Sequence, residues 1–226
     1  MSLSTVVDAL RQFYGRLPDP PNDPFAYFVW EVLAAESAPL KRDAAFLALK
    51  KIPALTPDAM HRAPPAKIAT AVALAGPYRE RRLEALMTGI DRFRRTRDLP
   101  RTLRGPLRAA RRALRPIPAL GTSGAWRLLL FAANRPVLPV ETKVERVASR
   151  IGYGSESADP RLRARTIRKK LAGELQGDLE TIRRTVLYLS HHGSVTCLER
   201  EPHCGVCPLA RDCAFNSSRR DAGAVS

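Results

Sequence analysis

All four cysteines of the chain lie in one short segment, Cys197, Cys204, Cys207 and Cys213, spaced C-x6-C-x2-C-x5-C. Four thiolates on a compact loop can hold one metal centre, and thiolate sulfur suits zinc or an iron–sulfur cluster. Zinc ribbons usually pair two C-x2-C knuckles. Here a single such pair, Cys204 and Cys207, has an outlying cysteine on either side. That asymmetry favours a [4Fe–4S] cubane, whose four iron corners need ligands arriving from different directions. Zinc, disulfides and free thiols are the alternatives.

Three acids stand where they could do chemistry. Glu141 opens an expected helix, a place the helix dipole favours for any acid. Phe25, Phe28, Val29, Val32 and Leu33 form an apolar stripe at helical spacing, and Glu36 falls on that same stripe. A carboxylate there needs a partner or a wet cavity, unless it snorkels at the helix end. Glu31 lies well off the stripe, where an ordinary solvated acid is expected.

The charge balance narrows the partner. The 226 residues carry a formal net charge of +16 and a pI near 10.6, on a chain 45% hydrophobic and 27% charged. A folded globule with a polyanionic partner is the default, most often nucleic acid. The surplus is uneven: Arg79 to Arg115 holds thirteen arginines against four acids. Arginine outnumbers lysine 31 to 7, which suits phosphate contacts, although a GC-rich genome biases composition the same way. No charged leader or bilayer-length apolar run is seen, so a reducing compartment is expected, where cysteines serve as ligands.

The elements that must position these residues are all helical, since no stretch alternates strictly enough for a strand. Helices are expected at 4–14, 24–37, 41–50, 56–61, 64–74, 79–95, 105–114, 122–134, 141–152, 160–175 and 178–191. Ser4 is placed to cap the first, and Asp23 with Pro24 opens the second. Residues after about Phe215 read as a flexible tail.

The cysteine spacing resembles the cluster loop of endonuclease III-type DNA glycosylases, the helix-hairpin-helix superfamily that also holds the adenine glycosylases. Leu189-Ser190-His191-His192-Gly193-Ser194-Val195-Thr196 looks like that family's approach to its first cysteine. Ile117-Pro118-Ala119-Leu120-Gly121 resembles its Leu-Pro-Gly-Val-Gly hairpin, which lends backbone N–H groups to a DNA phosphate. Ala119 replaces the first glycine, and a positive φ there would cost roughly 1 kcal/mol. Gly76-Pro77-Tyr78 resembles the Gly-Leu-Tyr loop that wedges into the duplex, or is an ordinary turn.

The resemblance also implies roles at the catalytic positions. Ser123 stands where bifunctional members carry a lysine, whose amine forms a Schiff base with the sugar C1′ and permits strand cleavage. A serine hydroxyl cannot form an imine. Val140-Glu141-Thr142-Lys143-Val144 resembles the Val-Asp-Thr-His motif. Glu141 is thereby implied to stabilise the oxocarbenium-like sugar and direct the nucleophile, from one methylene further out. Lys143 reads as a phosphate contact, as do Arg200 and Arg211 on the cysteine loop. Trp30-Glu31-Val32-Leu33 looks like the segment whose glutamate protonates the departing base in adenine glycosylases. Glu36 takes the family's glutamine position, bordering the space left by a flipped base.

The resemblance runs from about Pro24 to Cys213 and implies two lobes. Residues 23–135 would form a six-helix barrel with the helix-hairpin-helix; residues 1–22 and 136–226 would form the cluster lobe with its flexible tail. The expected partner is double-stranded DNA with a damaged base flipped out, and no membrane. A [4Fe–4S] cofactor, a monomer and a bacterial, nucleoid-associated cytoplasmic setting are expected with it. The implied function is monofunctional removal of a damaged or mispaired base in base-excision repair, with little or no AP-lyase activity. One alternative is a catalytically weak lesion- or structure-specific DNA-binding iron–sulfur protein. A lesser one is adenine glycosylase activity, for which the dozen residues after the cysteines leave no room for a further recognition domain.

Overall fold

The computed structural model describes residues 1–52, 54–96, 98–154 and 159–223 of the chain. Among the described residues there are helices and turns and no strand, as the periodicity predicts. Backbone contacts divide the chain into two compact units, Pro20–Arg135, and Met1–Asp19 with Pro136–Ser226.

The chain opens with α1 (Leu3–Tyr14), in the unit that joins the two ends. The central unit then holds α2 (Pro24–Ala34), α3 (Pro39–Lys50), α4 (Pro57–Arg62), α5 (Pro65–Ala73), α6 (Arg79–Arg95), α7 (Leu99–Arg104), α8 (Leu107–Leu114) and α9 (Gly121–Phe131). Proline occupies the first position of α2, α3, α4 and α5, where its fixed φ is pre-set and its missing N–H is not needed. α2 is the core helix: Phe28, Val29, Val32 and Leu33 are fully buried. Phe25, Phe28 and Phe93 meet ring to ring, with Phe93 5.2 Å from each of the other two. A Cβ on Gly89 would lie 1.9 Å from Phe28 Cζ, so α6 brings bare backbone down onto that ring.

After Arg135 the chain returns to the first unit through α10 (Thr142–Ala148), a π turn at Ser149–Tyr153, α11 (Pro160–Leu175), α12 (Leu179–Val195) and α13 (Ala214–Gly223). α12 packs against both α1 and α10. The approach to α10 is close: a Cβ on Gly193 would stand 3.0 Å from Lys143 Cβ and 3.1 Å from the Lys143 carbonyl. Glu174 fastens the first helix, accepting from Leu3 N–H at 2.7 Å and from the Tyr153 hydroxyl. Burial, and then that carboxylate, push the Tyr153 phenol above its ordinary range.

Several boundaries differ from expectation. Ser2, not Ser4, caps α1, accepting from Thr5 N–H. The helix expected at 105–114 begins only at Leu107, after Gly105-Pro106, and a short helix that the periodicity does not predict, α7, precedes it at Leu99–Arg104. The helix expected to 152 leaves α geometry at Ser149, and Gly152 turns to φ 104°. α2 stops at Ala34, three residues early. Glu36 therefore leaves the apolar stripe, with φ 52°, and its exposed carboxylate faces Arg81 at 3.8 Å. Glu31 is also corrected: it is buried, because α2 is enclosed nearly all round, and it is ion-paired with Arg127 of α9. The segment read as a tail after Phe215 is helical through Gly223, with Asn216 Nδ2 donating to Ala210 O at 2.8 Å. Residues 224–226 of that expected tail lie outside the described residues.

Candidate functional site

The four cysteines line one small cavity, shared with Arg150, His192 and Phe215. Among the described residues, no three His, Cys, Asp or Glu side chains converge as tightly as a single bare metal ion requires. Two arginines one turn apart on the α10 segment shape the loop. Arg146 donates to the carbonyls of Gly193 and, at 2.9 Å, Cys197. Arg150 donates to Cys197 Sγ at 3.2 Å, to Leu198 O at 2.6 Å and to Glu199 O at 2.8 Å. Its guanidinium also stacks 4.3 Å over the Phe215 ring, which ties α13 to the centre. The Cys213 thiol donates to Arg150 O. An N–H aimed at sulfur fixes the direction in which Cys197 can serve as a ligand.

Behind the cysteines lies a polar relay. The Tyr14 hydroxyl sits 2.7 Å from His192 Nδ1 and 2.6 Å from Thr196 Oγ1, while His192 Nε2 faces Cys207 Sγ at 3.6 Å. Burial, then the charge of His191, pushes the His192 imidazole down to about 4, so the ring is neutral. Burial pushes the Cys207 thiol up, with the other three cysteines adding to it. Arg200 and Arg211 are exposed on the same loop.

Glu141 is the N-cap residue of α10 and is half-buried. The Ser190 hydroxyl, from α12, donates to its Oε1 at 2.8 Å. Its side chain does not cap its own helix, so the carboxylate is directed by a neighbour. Lys143 is exposed one residue into α10.

In the central unit, α8, the turn 115–120 and α9 form a helical hairpin. Ile117 and Leu120 are buried anchors, while Pro118 is half-buried and Ala119 and Gly121 are exposed. The backbone is left-handed at Ala119 (φ 63°) and Gly121 (φ 51°). Only glycine adopts this region without strain, and Ala119 is the residue that carries the strain. No side chain caps the start of α9. Arg108, Arg111, Arg112 and Arg115 share a pocket of about 290 Å³ with Gly121 and Thr122 at that helix start. Four guanidinium groups beside uncapped amides make a strongly anion-attracting surface. Ser123 is exposed on the first turn of α9, and Arg127 follows it at i+4.

The Gly76-Pro77-Tyr78 turn is held by Arg82, a buried arginine that donates to the carbonyls of Gly76, Pro77 and Ala35. Gly76 has φ 93° and Tyr78 φ 68°, and both Pro77 and Tyr78 project into solvent. Arg82 thus fixes the end of α2 to an exposed, strained turn.

Within one unit the four cysteines come together; within the other, the hairpin gathers its arginines, and separately the turn at 76–78 meets the end of α2. Ser123, Glu31 and Glu36 belong to the central unit, Glu141 and Lys143 to the other. Arg82, Arg127, Arg146, Arg150 and Ser190 escape sequence reasoning. Their one signal is the i, i+4 spacing of Arg146 and Arg150 beside an apolar helix face.

No protein-family model matches the chain. Over 110 residues it is 31% identical to an adenine DNA glycosylase of Mycolicibacterium smegmatis, covering 49% of this chain and 36% of that protein. The match thus spans about a third of the length of that curated relative. In structure the chain is similar to a trapped endonuclease III–DNA covalent intermediate, with TM-score 0.66, 19% identity, and 97% and 99% of the two chains covered. It is similar also to a thermostable thymine-DNA glycosylase, with TM-score 0.67, 17% identity, and 96% and 97% covered.

Proposed function

We propose that this chain, which has the helical fold of the endonuclease III-type helix-hairpin-helix glycosylases, is a monofunctional DNA glycosylase of base-excision repair. The observation that carries the reading is the Glu141 carboxylate, half-buried at the head of α10 and held by the Ser190 hydroxyl at 2.8 Å. As the bond from C1′ to a damaged or mispaired base breaks, positive charge grows on the sugar. A fixed carboxylate stabilises that charge and accepts a proton from the attacking water. The base leaves with the bonding electron pair, water oxygen bonds C1′, and an abasic site remains. Ser123 offers a hydroxyl and no amine, so no imine forms and the strand stays whole.

The partner in this reading is double-stranded DNA, bound by one copy of the chain. Backbone amides at Ala119–Gly121 and the arginines of α8 take phosphates, and the exposed Pro77 and Tyr78 supply a wedge at the lesion. Lys143, Arg200 and Arg211 add exposed positive charge for the phosphate backbone, and Glu36, paired with Arg81, borders the same loop region.

Cys197, Cys204, Cys207 and Cys213 would hold a [4Fe–4S] cluster. Four sulfurs around a shared cavity, with an arginine N–H on one of them, fit a cluster of several atoms. When bound, the cluster supplies a rigid, redox-active cross-link. The protein's own contribution is to present Arg200 and Arg211 on the loop that the cysteines close.

Replacing Glu141 by Gln tests the reading: base release should disappear in single-turnover reactions while duplex binding persists, and unimpaired release would sink it. The duplexes should carry thymine glycol, dihydrouracil, uracil, or adenine opposite 8-oxoguanine. Strand breaks seen only after hot alkali mark a monofunctional enzyme. A second reading, adenine removal, draws on the 31% likeness to an adenine DNA glycosylase and on Glu31. Against it, the Glu31 carboxylate is buried and engaged by Arg127. Binding without release on every duplex would instead favour a lesion-binding protein.

A further inference from the structure

We propose that the groove walled by α3, α4 and α5 docks an acidic peptide segment of a partner protein, anchored by aliphatic side chains. The groove encloses about 800 Å³, within the range of specific ligand pockets. Ala48, Ala63 and Ala71 leave its floor shallow and apolar, and Leu74 stands at its edge 49% exposed. On α3 the apolar surface continues outward: Leu47 is 59% exposed one turn before Lys51.

The rim is cationic. Lys51, Arg62 and Lys67 line the groove, are exposed, and form no ion pair among the described residues. Asp58, on α4, is ion-paired with Arg94 at 2.9 Å and feels the charge of Arg62 more weakly. No lining residue is acidic. Three exposed cations around an aliphatic floor call for carboxylates at the edge and branched side chains in the middle, the pattern of an amphipathic segment lying in a groove. A second copy of this chain is disfavoured by its own +16 charge. Single-stranded nucleic acid is disfavoured because no lining residue is aromatic, which leaves nothing for a base to stack on.

The test is fluorescence anisotropy of the full chain with three labelled probes. They are a Leu/Glu amphipathic peptide, the same peptide with Lys for Glu, and oligothymidylate. The Leu/Glu peptide should bind and the Lys version should not. The double variant Lys51→Glu/Lys67→Glu should weaken that binding about tenfold. Thr70→Trp, which fills the groove from an exposed position, should weaken it without changing charge. An equal charge change at Arg108 and Arg112 should leave peptide binding in place. Absence of binding by the Leu/Glu peptide would overturn the proposal, as would binding that both groove variants retain. Oligothymidylate binding that the groove variants alone remove would overturn it in favour of a nucleic-acid groove. None of these outcomes depends on the glycosylase reading, because no groove residue belongs to the site above.

Discussion

The hydroxyl of Ser190, on α12, donates to Glu141 Oε1 at the head of α10 across 2.8 Å. Two helices that meet at Gly193 with almost no separation thus hold one carboxylate in register. Hydrogen bonds to charged groups contribute roughly 1.5–3 kcal/mol. Ser190→Ala should therefore slow base release by about 10- to 100-fold in single-turnover reactions. Affinity for the same duplex should be unchanged, since Ser190 acts through Glu141. Equal rates for the variant and the parent would show that the carboxylate needs no holding.

The hairpin gives an opposite expectation, a gain. Ala119 holds φ 63° in a region where its Cβ is unwelcome. Ala119→Gly should raise stability by about 1 kcal/mol, offset in part by greater freedom of the unfolded chain. That corresponds to roughly 2–4 °C in Tm for a chain of this size. Duplex affinity should hold or improve, because the amide at that position stays in place. A lower Tm for the variant would mean that the Ala119 side chain makes a contact worth more than the strain.

The helices, the cysteine cluster and the hairpin turn were legible in the sequence because each rests on local patterns. Those patterns are helical periodicity, proline and aspartate at helix starts, and close cysteine spacing. What was illegible depends on partners far along the chain. Glu31 reads as a solvated acid from its helical angle, yet α2 is enclosed on nearly every side and Arg127 reaches it from 96 residues away. Arg82 counts in the sequence as one of thirteen arginines facing a polyanion, yet it is buried and spends its donors on three carbonyls. A charge total cannot separate the arginines that meet solvent from those that build the scaffold. The end of α2 mixes both kinds of cause: Pro39 has no N–H to offer the Ala35 carbonyl, which is local, and Arg82 donates to that carbonyl from 47 residues away.

Arg150 should govern how well the cysteine centre holds the proposed cluster. It bonds Cys197 Sγ and two carbonyls of the loop that follows, and packs on Phe215. Groups that orient metal ligands typically change metal affinity by about 10- to 100-fold when removed. Arg150→Met keeps the packing stem and loses the donors. It should yield less iron and sulfide per chain and a visible absorbance that bleaches roughly tenfold faster in air. Iron content equal to that of the parent would place the ordering of the loop elsewhere.

The Glu31–Arg127 pair sets a double-variant test that separates scaffold from chemistry. Glu31 is buried and Arg127 half-buried, and removing the partner of a buried charge costs up to about 3–5 kcal/mol. Arg127→Met alone should therefore destabilise the chain, by up to about that amount, in denaturant titrations. The combination with Glu31→Gln should recover most of it, since neither charge is then left in the core. If the pair is scaffold, the refolded double variant releases its base at the parent rate. If Glu31 protonates the departing base, stability returns without activity, and the loss should be confined to the duplex with adenine opposite 8-oxoguanine.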